Sequence, residues 1–172
     1  MEQEELIHII DYDENWPDDF RAERKNLARV LKIPEASIEH IGSTAVPGMV
    51  SKPIIDIMAG LSVVPPSNDF KARLLGLEYE FLGESGVPDR YYFRRRNDTS
   101  FNLHVVSVDG AHWKSNLALR DYLRVNADEQ LRYTVAKRQA LATGNTTLST
   151  YSDAKASIVS DLLAKALRWH HG

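Results

Sequence analysis

The amino-acid sequence predicts an α+β fold in which a mixed β-sheet is followed by a helical C-terminal third. Before residue 111, short runs of apolar and β-branched residues alternate with turn residues, a pattern typical of strands joined by loops. After Ala111, apolar residues recur at the three- and four-residue spacing of helices. The chain has 172 residues, of which 43% are hydrophobic, so we expect residues 1–172 to form a single domain around one core.

The first third of the chain is predicted to hold three strands and one helix. An edge strand is expected over residues 6–11, where isoleucines are frequent. A helix is expected over residues 16–33, because a proline and two aspartates occupy its first turn and a proline follows its end. Strands are expected at 37–41 and 53–61, on either side of a loop rich in glycine, proline and small residues.

The remaining elements follow from the same patterns of spacing and turn residues. They are a short helix around residues 70–75, a turn over 83–89, a hairpin of strands 91–96 and 101–106, and three helices at 111–124, 128–142 and 152–169. Ile158, Leu162 and Ala166 lie on one apolar stripe of the last helix.

Charge and composition exclude several classes of function. The formal net charge is −3, with 21 basic and 24 acidic residues, so there is no strong signal for nucleic-acid binding and any phosphate site must be local. The chain has no cysteine, which excludes disulfides and thiolate chemistry. Its acidic start does not resemble a signal peptide, and no apolar run approaches the ~18 residues of a membrane span, so we expect a soluble cytoplasmic protein. The oligomeric state stays open.

The loop after the second predicted strand is the first candidate site. Gly42 and Ser43 follow that strand directly, and a loop of this kind can direct backbone N–H groups and a hydroxyl at an anion, although many such pairs are ordinary turns. Asp56 lies in the next strand, where alternation places it on the face opposite Ile55 and Ile57. A carboxylate in an apolar strand indicates either a catalytic or metal site or a structural ion pair.

Two histidines accompany this loop and strand. His104 shares one face of its predicted strand with Asn102, and that face could be directed toward Asp56. An Asp56–His104 pair could bind a metal, serve in acid–base catalysis, or simply satisfy a buried imidazole. His40 directly precedes the loop and could hydrogen-bond to it, although a structural histidine in the strand is the simpler interpretation.

Longer stretches of the sequence resemble one protein family. The string Glu39-His-Ile-Gly-Ser-Thr-Ala-Val-Pro-Gly48, followed by Lys52-Pro-Ile-Ile-Asp-Ile57, resembles the signature of the GrpB family. Further similar positions are Tyr92-Phe-Arg, Leu103-His-Val-Val, Arg120-Asp-Tyr-Leu-Arg124, Tyr133 with Lys137, and Tyr151 with Lys155. The resemblance covers most of the chain and implies a nucleotidyltransferase-like fold of the polymerase-β type.

The resemblance also implies roles for individual residues. Gly42, Ser43 and Thr44 would hold the phosphates of a nucleoside triphosphate, as ligand or substrate. Asp56 would be the first acid of the metal site, with His104 nearby, and the implied cofactor is a divalent metal ion, Mg or Mn. The chain departs from the superfamily pattern at the second acid, where Met58 stands, and at the third, where the candidate strand offers Asn102 and His104. A thioether is a poor ligand for a hard cation, so these departures argue against ordinary two-metal transfer.

Basic residues are needed to complete a phosphate pocket. Lys52, Arg94, Arg96 and Lys155 are the candidates, with Arg120 as a further possibility in the first C-terminal helix. Alternation places Arg94 and Arg96 on one side of their strand and Arg95 on the other, so the arginine run is expected to divide between the site and solvent. A solvated strand edge and a helix-docking ion pair of Arg120 with Asp121 are the structural alternatives.

Three functional hypotheses follow. The chain is a divergent nucleotidyltransferase, or a noncatalytic module that binds a phosphorylated small molecule or a partner protein through a degenerate site, or a protein with an accessory role in coenzyme A metabolism. The third hypothesis rests only on the occurrence of GrpB-like domains fused to dephospho-coenzyme A kinases. The sequence identifies neither the base of a bound nucleotide nor the acceptor of a transferred group.

Overall fold

A computed structural model describes residues 5–172 and contains five helices and five strands. In chain order these are α1 (Trp16–Leu31), β1 (Ile38–Ile41), β2 (Ile54–Leu61), α2 (Asn68–Gly76), β3 (Glu80–Phe81), β4 (Tyr91–Arg96), β5 (Ser100–Ser107), α3 (Ala111–Val125), α4 (Ala127–Ala142) and α5 (Leu148–His171). Single 3₁₀ turns lie at Glu35–Ser37 and Ser43–Ala45. The predicted α+β class, with a mixed sheet and a helical C-terminal third, is confirmed.

The five strands form one sheet in the order β1-β2-β5-β4-β3. The central pair, β2 and β5, is parallel, and the other three pairs are antiparallel. In the parallel pair Asp56 lies opposite Asn102 and Met58 opposite His104, while in the antiparallel pair Tyr92 lies opposite His104. The register therefore brings polar side chains of three neighbouring strands to one region of the sheet.

One face of the sheet carries the main hydrophobic core. Alternate residues of the strands, including Ile57, Leu103 and Phe93, pack there against the apolar side of α1 and against α2. The apolar side of α1 follows from its spacing, with Phe20 and Leu27 both buried. Since strand residues alternate between faces, the polar residues of the same strands lie on the opposite face.

The opposite face is covered at only one end by apolar side chains. Met58, Ile41 and Val106 pack there against Trp113 of α3. A third apolar cluster, which includes Val46, Met49, Leu123 and Leu162, joins the loop after β1 to α3 and α5. The rest of this face, which includes residues of β4 and β5 and Asp56 of β2, borders a cavity.

One prediction about the N-terminal half was wrong, and one strand there was not predicted. Residues 6–11 do not form an edge strand, because the segment makes only isolated bridges, from Leu6 to Thr147 and from Ile10 to Ser51. These partners belong to different parts of the chain, so no continuous ladder can form. The short strand β3 was not predicted, since its two residues, Glu80 and Phe81, are too few to give a periodic pattern.

Helix α5 begins four residues earlier than predicted. Thr147 caps it through a reciprocal pair of hydrogen bonds with Thr150, a capping box that replaces the usual glutamate with threonine.

The prediction that the chain has no signal peptide depends partly on residues 1–4, which lie outside the described residues. In the part of the chain that the structure describes, no helix combines the length and apolar character required to span a membrane.

Candidate functional site

A cavity of about 660 Å³ opens on the sheet face opposite α1 and α2. Its floor is formed by Asp56 of β2, Asn102 and His104 of β5, and Tyr92 and Arg94 of β4. The walls are the first turn of α5, the loop before β4 and the N-terminal segment at Glu5. Of the predicted site residues, four line this cavity: Lys52, Asp56, Arg94 and His104. Gly42, Ser43, Thr44, Arg96 and Lys155 are not among its lining residues.

Asp56 is held by two side chains of the neighbouring strand. Its Oδ1 accepts a hydrogen bond from Asn102 Nδ2 at 3.0 Å and lies 3.2 Å from His104 Nε2. Burial disfavours the charged carboxylate, but the contacts with His104, the charge of Lys52 and the hydrogen bond from Asn102 outweigh it, so the pKa of Asp56 lies below its ordinary value. Asp56 is therefore an anion at neutral pH.

Gly42 brings the loop against Asp56. Its backbone has φ +73, in the left-handed region that glycine adopts freely, and a Cβ atom at this position would lie 2.7 Å from Asp56 Oδ2. A side chain cannot be accommodated there without moving the aspartate. Glycine thus permits the close approach of the Gly42-Ser43 loop to the cavity floor.

Thr44 and His40 fix the shape of this loop. Thr44 is fully buried, and its Oγ1 lies 2.8 Å from His40 Nε2. His40 stacks on Phe20, and burial lowers the pKa of His40 to about 4, so the ring is neutral at pH 7. The Thr44 side chain is thus occupied by a hydrogen bond that supports the loop, and a contact of Thr44 with a ligand stays a prediction.

Ser43 is bound by a lysine that the sequence analysis did not assign to the site. Lys137 of α4 is only 1% exposed, and its Nζ donates hydrogen bonds to Ser43 Oγ and, at 2.8 Å, to the carbonyl oxygen of Val50. The ammonium also lies over the ring of Tyr133, 4.3 Å from its centroid. Burial, together with the nearby charges of Lys155 and Lys52, lowers the pKa of Lys137 well below its ordinary value.

Lys52 projects into the cavity without a counter-ion. Among residues 5–172 its ammonium makes no hydrogen bond or ion pair, and its nearest ring contact is Tyr151, 5.8 Å from the centroid. Burial lowers the pKa of Lys52 to about 8; Asp56 opposes this shift, whereas Lys155 and Arg96 add to it. Lys155 of α5 lies close by, with its Nζ 3.3 Å from the hydroxyl of Tyr133, and burial lowers the pKa of Lys155 as well.

Arg90, which also lines the cavity, was missed by the sequence analysis. Its Nη2 donates to the carbonyl oxygens of Glu84 and Ser85, both at 3.2 Å, and its guanidinium lies over the ring of Tyr92. Its buried Nε has no hydrogen-bond partner among the described residues, and no described carboxylate pairs with it. Arg90 lies in an irregular loop, where no periodic pattern indicates the direction of a side chain.

Arg94 and Arg96, by contrast, already have carboxylate partners. Arg96 binds Glu5 through two nitrogens, at 2.6 and 3.2 Å, and also donates to Asn102 Oδ1 at 2.8 Å. Arg94 lies 3.7 Å from Glu5 and 2.8 Å from Glu80. Arg95 points to the other face, as alternation predicts, but it is not in solvent, because it forms an ion pair with buried Glu23.

Arg120, the remaining candidate cation, ties α3 to β1. Its guanidinium bonds Glu39 at 2.7 Å, Asp121 at 2.9 Å and the carbonyl oxygen of His40. Arg120 is not among the residues that line the cavity. These contacts agree with the structural alternative, in which Arg120 forms an ion pair that docks α3 on the sheet.

The donor set does not fit the two-metal site that the resemblance to nucleotidyltransferases implies. Within residues 5–172 there is no group of three histidine or acidic side chains that could hold a metal ion. The place of the second acid is taken by Met58, which is fully buried against Ile41, Val106 and Trp113. A carboxylate at this position would be surrounded by apolar side chains.

Comparisons with known proteins identify similar chains. A family model described as GrpB protein matches residues 6–165. A UPF0157 protein of Halalkalibacterium halodurans is 36% identical over 163 residues, which cover 93% of this chain and 82% of that protein. The crystal structure of the conserved protein GrpB from Enterococcus faecalis has a TM-score of 0.79 and 27% identity, with 96% of this chain and 100% of that chain covered.

The fold is also similar to that of a nucleotidyltransferase. A cytoplasmic RNA terminal U-transferase has a TM-score of 0.55 and 17% identity, over 84% of this chain and 47% of that chain. This chain therefore spans about half of that enzyme, and at this identity the likeness concerns the fold alone.

Proposed function

The chain belongs to the GrpB family, and we propose that it binds a nucleotide or another phosphorylated small molecule in the cavity beside the Gly42-Ser43 loop. The observation that carries this proposal is Lys52, an ammonium that lines the cavity and has no hydrogen bond or ion pair within residues 5–172. Burying an ammonium without a partner is unfavourable, and an anionic ligand would supply the missing partner.

The basic side chains around Lys52 favour a ligand that carries several negative charges. Lys137, Lys155 and Arg90 also have no carboxylate within ion-pair distance in the described part of the chain, and Asp56 is the acid that acts on all four cations. Glu5 and Asp153 also line the cavity, but Glu5 is bound to Arg96, so the basic groups without an ion-pair partner are gathered around Asp56 in a chain whose formal net charge is −3. A phosphate group matches such a site because each of its oxygens can accept charge-assisted hydrogen bonds.

Ser43 lies in the loop beside the cavity floor. Its Oγ accepts a hydrogen bond from Lys137, and its hydroxyl also hydrogen-bonds to the side chain of Tyr133, so a ligand phosphate would take the serine proton in competition with Tyr133. The loop backbone lies against Asp56, so a ligand on the cavity floor would be near this hydroxyl. The cavity volume of about 660 Å³ falls in the range of ~300–1,000 Å³ that small-molecule sites occupy.

The proposal assigns binding to this site but not rapid nucleotidyl transfer. Transfer by two metals requires several anionic oxygens that hold the two cations close together. Asp56 supplies one carboxylate, whereas Met58 places a thioether in the apolar cluster beside it. The fold that this chain shares with the U-transferase supports a nucleotide as the ligand. The transfer activity of that enzyme is not assigned to this chain.

A thermal-shift screen of the full chain tests the proposal. The probes are inorganic triphosphate, the nucleoside triphosphates and phosphorylated coenzyme A precursors, each with and without magnesium. A ligand at ~100 times its dissociation constant adds about 2.7 kcal/mol to the free energy of unfolding, which is readily measured. We expect at least one phosphorylated probe to raise the melting temperature, whereas the unphosphorylated nucleosides should not.

Turnover separates binding from transfer. Pyrophosphate release is measured with magnesium and the nucleoside triphosphates that give a thermal shift. We expect release no faster than that of an Asp56→Asn variant. Robust release by the wild type alone would support the divergent-transferase hypothesis and contradict the assignment of a binding site without transfer.

A further inference from the structure

We propose that this cavity holds its phosphorylated ligand without a divalent metal ion, and that Asp56 is the internal counter-ion of the surrounding cations. The inference rests on the proposed function and specifies the ligand as a metal-free polyanion. It assigns Asp56 the role of a positioning residue, in contrast to the metal ligand implied by the resemblance to nucleotidyltransferases.

The first argument concerns the oxygens of Asp56. Oδ1 already has two polar partners, Asn102 Nδ2 at 3.0 Å and His104 Nε2 at 3.2 Å. Oδ2 faces Gly42 so closely that a Cβ atom there would lie 2.7 Å away. Magnesium requires a near-ideal octahedron of oxygen ligands, and within residues 5–172 no third histidine or acidic side chain joins Asp56 and His104 to form such a site.

The network behind Asp56 keeps the carboxylate in place. Asn102 donates to Asp56 through its amide nitrogen, while its Oδ1 accepts from the hydroxyl of Tyr92 at 2.7 Å and from Arg96 at 2.8 Å. Both ends of the amide are therefore occupied. This arrangement orients Asp56 and stabilises its negative charge, which is the role of a counter-ion that stays in position.

The second argument concerns the charges in and behind the cavity wall. Lys52 and Arg90 line the cavity, as do the carboxylates of Glu5 and Asp153, whereas Lys137 and Lys155 are buried behind it. None of these four basic side chains has a carboxylate within ion-pair distance among the described residues, and each is influenced by the charge of Asp56. A divalent cation bound at Asp56 would be repelled by these groups. A phosphate would be attracted by the same groups, which supply the positive charge that metal ions provide in other phosphate sites.

The test is isothermal titration calorimetry of inorganic triphosphate into the full chain, in EDTA and in magnesium. We expect the dissociation constant in EDTA to be equal to that in magnesium within threefold, or smaller, because magnesium neutralises part of the charge of the triphosphate. A loss of affinity of tenfold or more in EDTA, restored by magnesium or manganese, would overturn the inference while leaving the proposed function intact. Absence of binding under all conditions would overturn the proposed function itself.

An Asp56→Asn variant distinguishes a counter-ion from a residue that is merely structural. The charged groups that act on Lys52 are Asp56, Lys155, Glu5 and Arg96. Removing the charge of Asp56 should shift the loss of triphosphate binding with rising pH to a lower pH, in EDTA as well as in magnesium. An unchanged pH profile in a folded variant would contradict the counter-ion role. If the variant does not fold, the comparison of EDTA with magnesium on the wild type still decides the question.

Discussion

Lys137 Nζ donates a hydrogen bond to Ser43 Oγ, although the two residues lie 94 positions apart in the chain. The contact joins α4 to the loop after β1, next to the cavity floor. Ser43 accepts from Lys137 and also hydrogen-bonds to Tyr133, so a ligand would receive the serine proton in place of Tyr133.

Replacing Ser43 with alanine should weaken triphosphate binding roughly 10-fold, which corresponds to about 1.4 kcal/mol, the size of one hydrogen bond to a charged group. Calorimetry of the two proteins gives the ratio directly. Ser62→Ala is the matched control, because Ser62 is exposed and lines a different cavity. Equal affinities of wild type and Ser43→Ala would show that the hydroxyl does not contact the ligand.

Gly42 and Gly48 allow backbone strain to be separated from the contact with Asp56. Both have positive φ, at +73 and +82, but an added Cβ atom meets Asp56 only at Gly42 and nothing within 4 Å at Gly48. Strain of this kind costs on the order of 1–3 kcal/mol. We expect Gly42→Ala to be less stable than Gly48→Ala in urea denaturation and to lose triphosphate affinity. The account is contradicted if the two variants are equally stable and bind equally well.

The carboxylate of Glu5 forms ion pairs with Arg96 and Arg94 at the edge of the cavity. A ligand phosphate that approaches these arginines must compete with it. Glu5→Gln should therefore increase triphosphate affinity several-fold, measured at low ionic strength where surface charges are little screened. Glu14→Gln, an exposed site with the same change of charge, is the control. A decrease in affinity specific to Glu5→Gln would mean that the ion pair builds the site.

The affinity for triphosphate should fall as pH rises through about 8, where Lys52 loses its proton. At one pH unit above this value about a tenth of the lysine stays charged, so the loss of affinity attributable to Lys52 is roughly 10-fold.

The stability of the unliganded protein should change in the opposite direction. The pKa of Lys52 is lower in the folded state than its ordinary value of 10.5, so the unfolded chain binds more protons and stability rises from pH 8 toward 10. Calorimetry and urea denaturation at pH 7, 8 and 9 measure the two trends, and parallel trends would contradict this interpretation.

Local patterns predicted the floor of the site better than its walls. Alternation in β2 and β5 placed Asp56, Asn102 and His104 on predictable faces, and the parallel pairing of these strands brought them into contact. Lys137 could not be assigned in this way, because the docking of α4 against the loop depends on tertiary packing. Spacing within a helix defines its faces but does not say which partner each face meets.

The N-terminal segment shows that β-strand propensity alone does not determine whether a strand forms. The isoleucines of residues 6–11 predicted a strand, yet the segment crosses from the start of α5 to the loop before β2 and finds only one bridge on each side. Its direction is set by those two neighbours. The same crossing places Glu5 against Arg96, a contact between residues 91 positions apart that no local pattern indicates.

The most direct test of the proposed site is calorimetry of inorganic triphosphate with Lys52→Gln in EDTA at pH 7. Lys25→Gln is the matched control, because Lys25 is exposed on α1, on the other side of the sheet, and the change of charge is the same. We expect saturable binding by the wild type and by Lys25→Gln, with a loss of at least roughly 10-fold in Lys52→Gln, as expected when a charge-assisted hydrogen bond is removed. Equal affinity of all three proteins, or no binding by the wild type, would contradict the account.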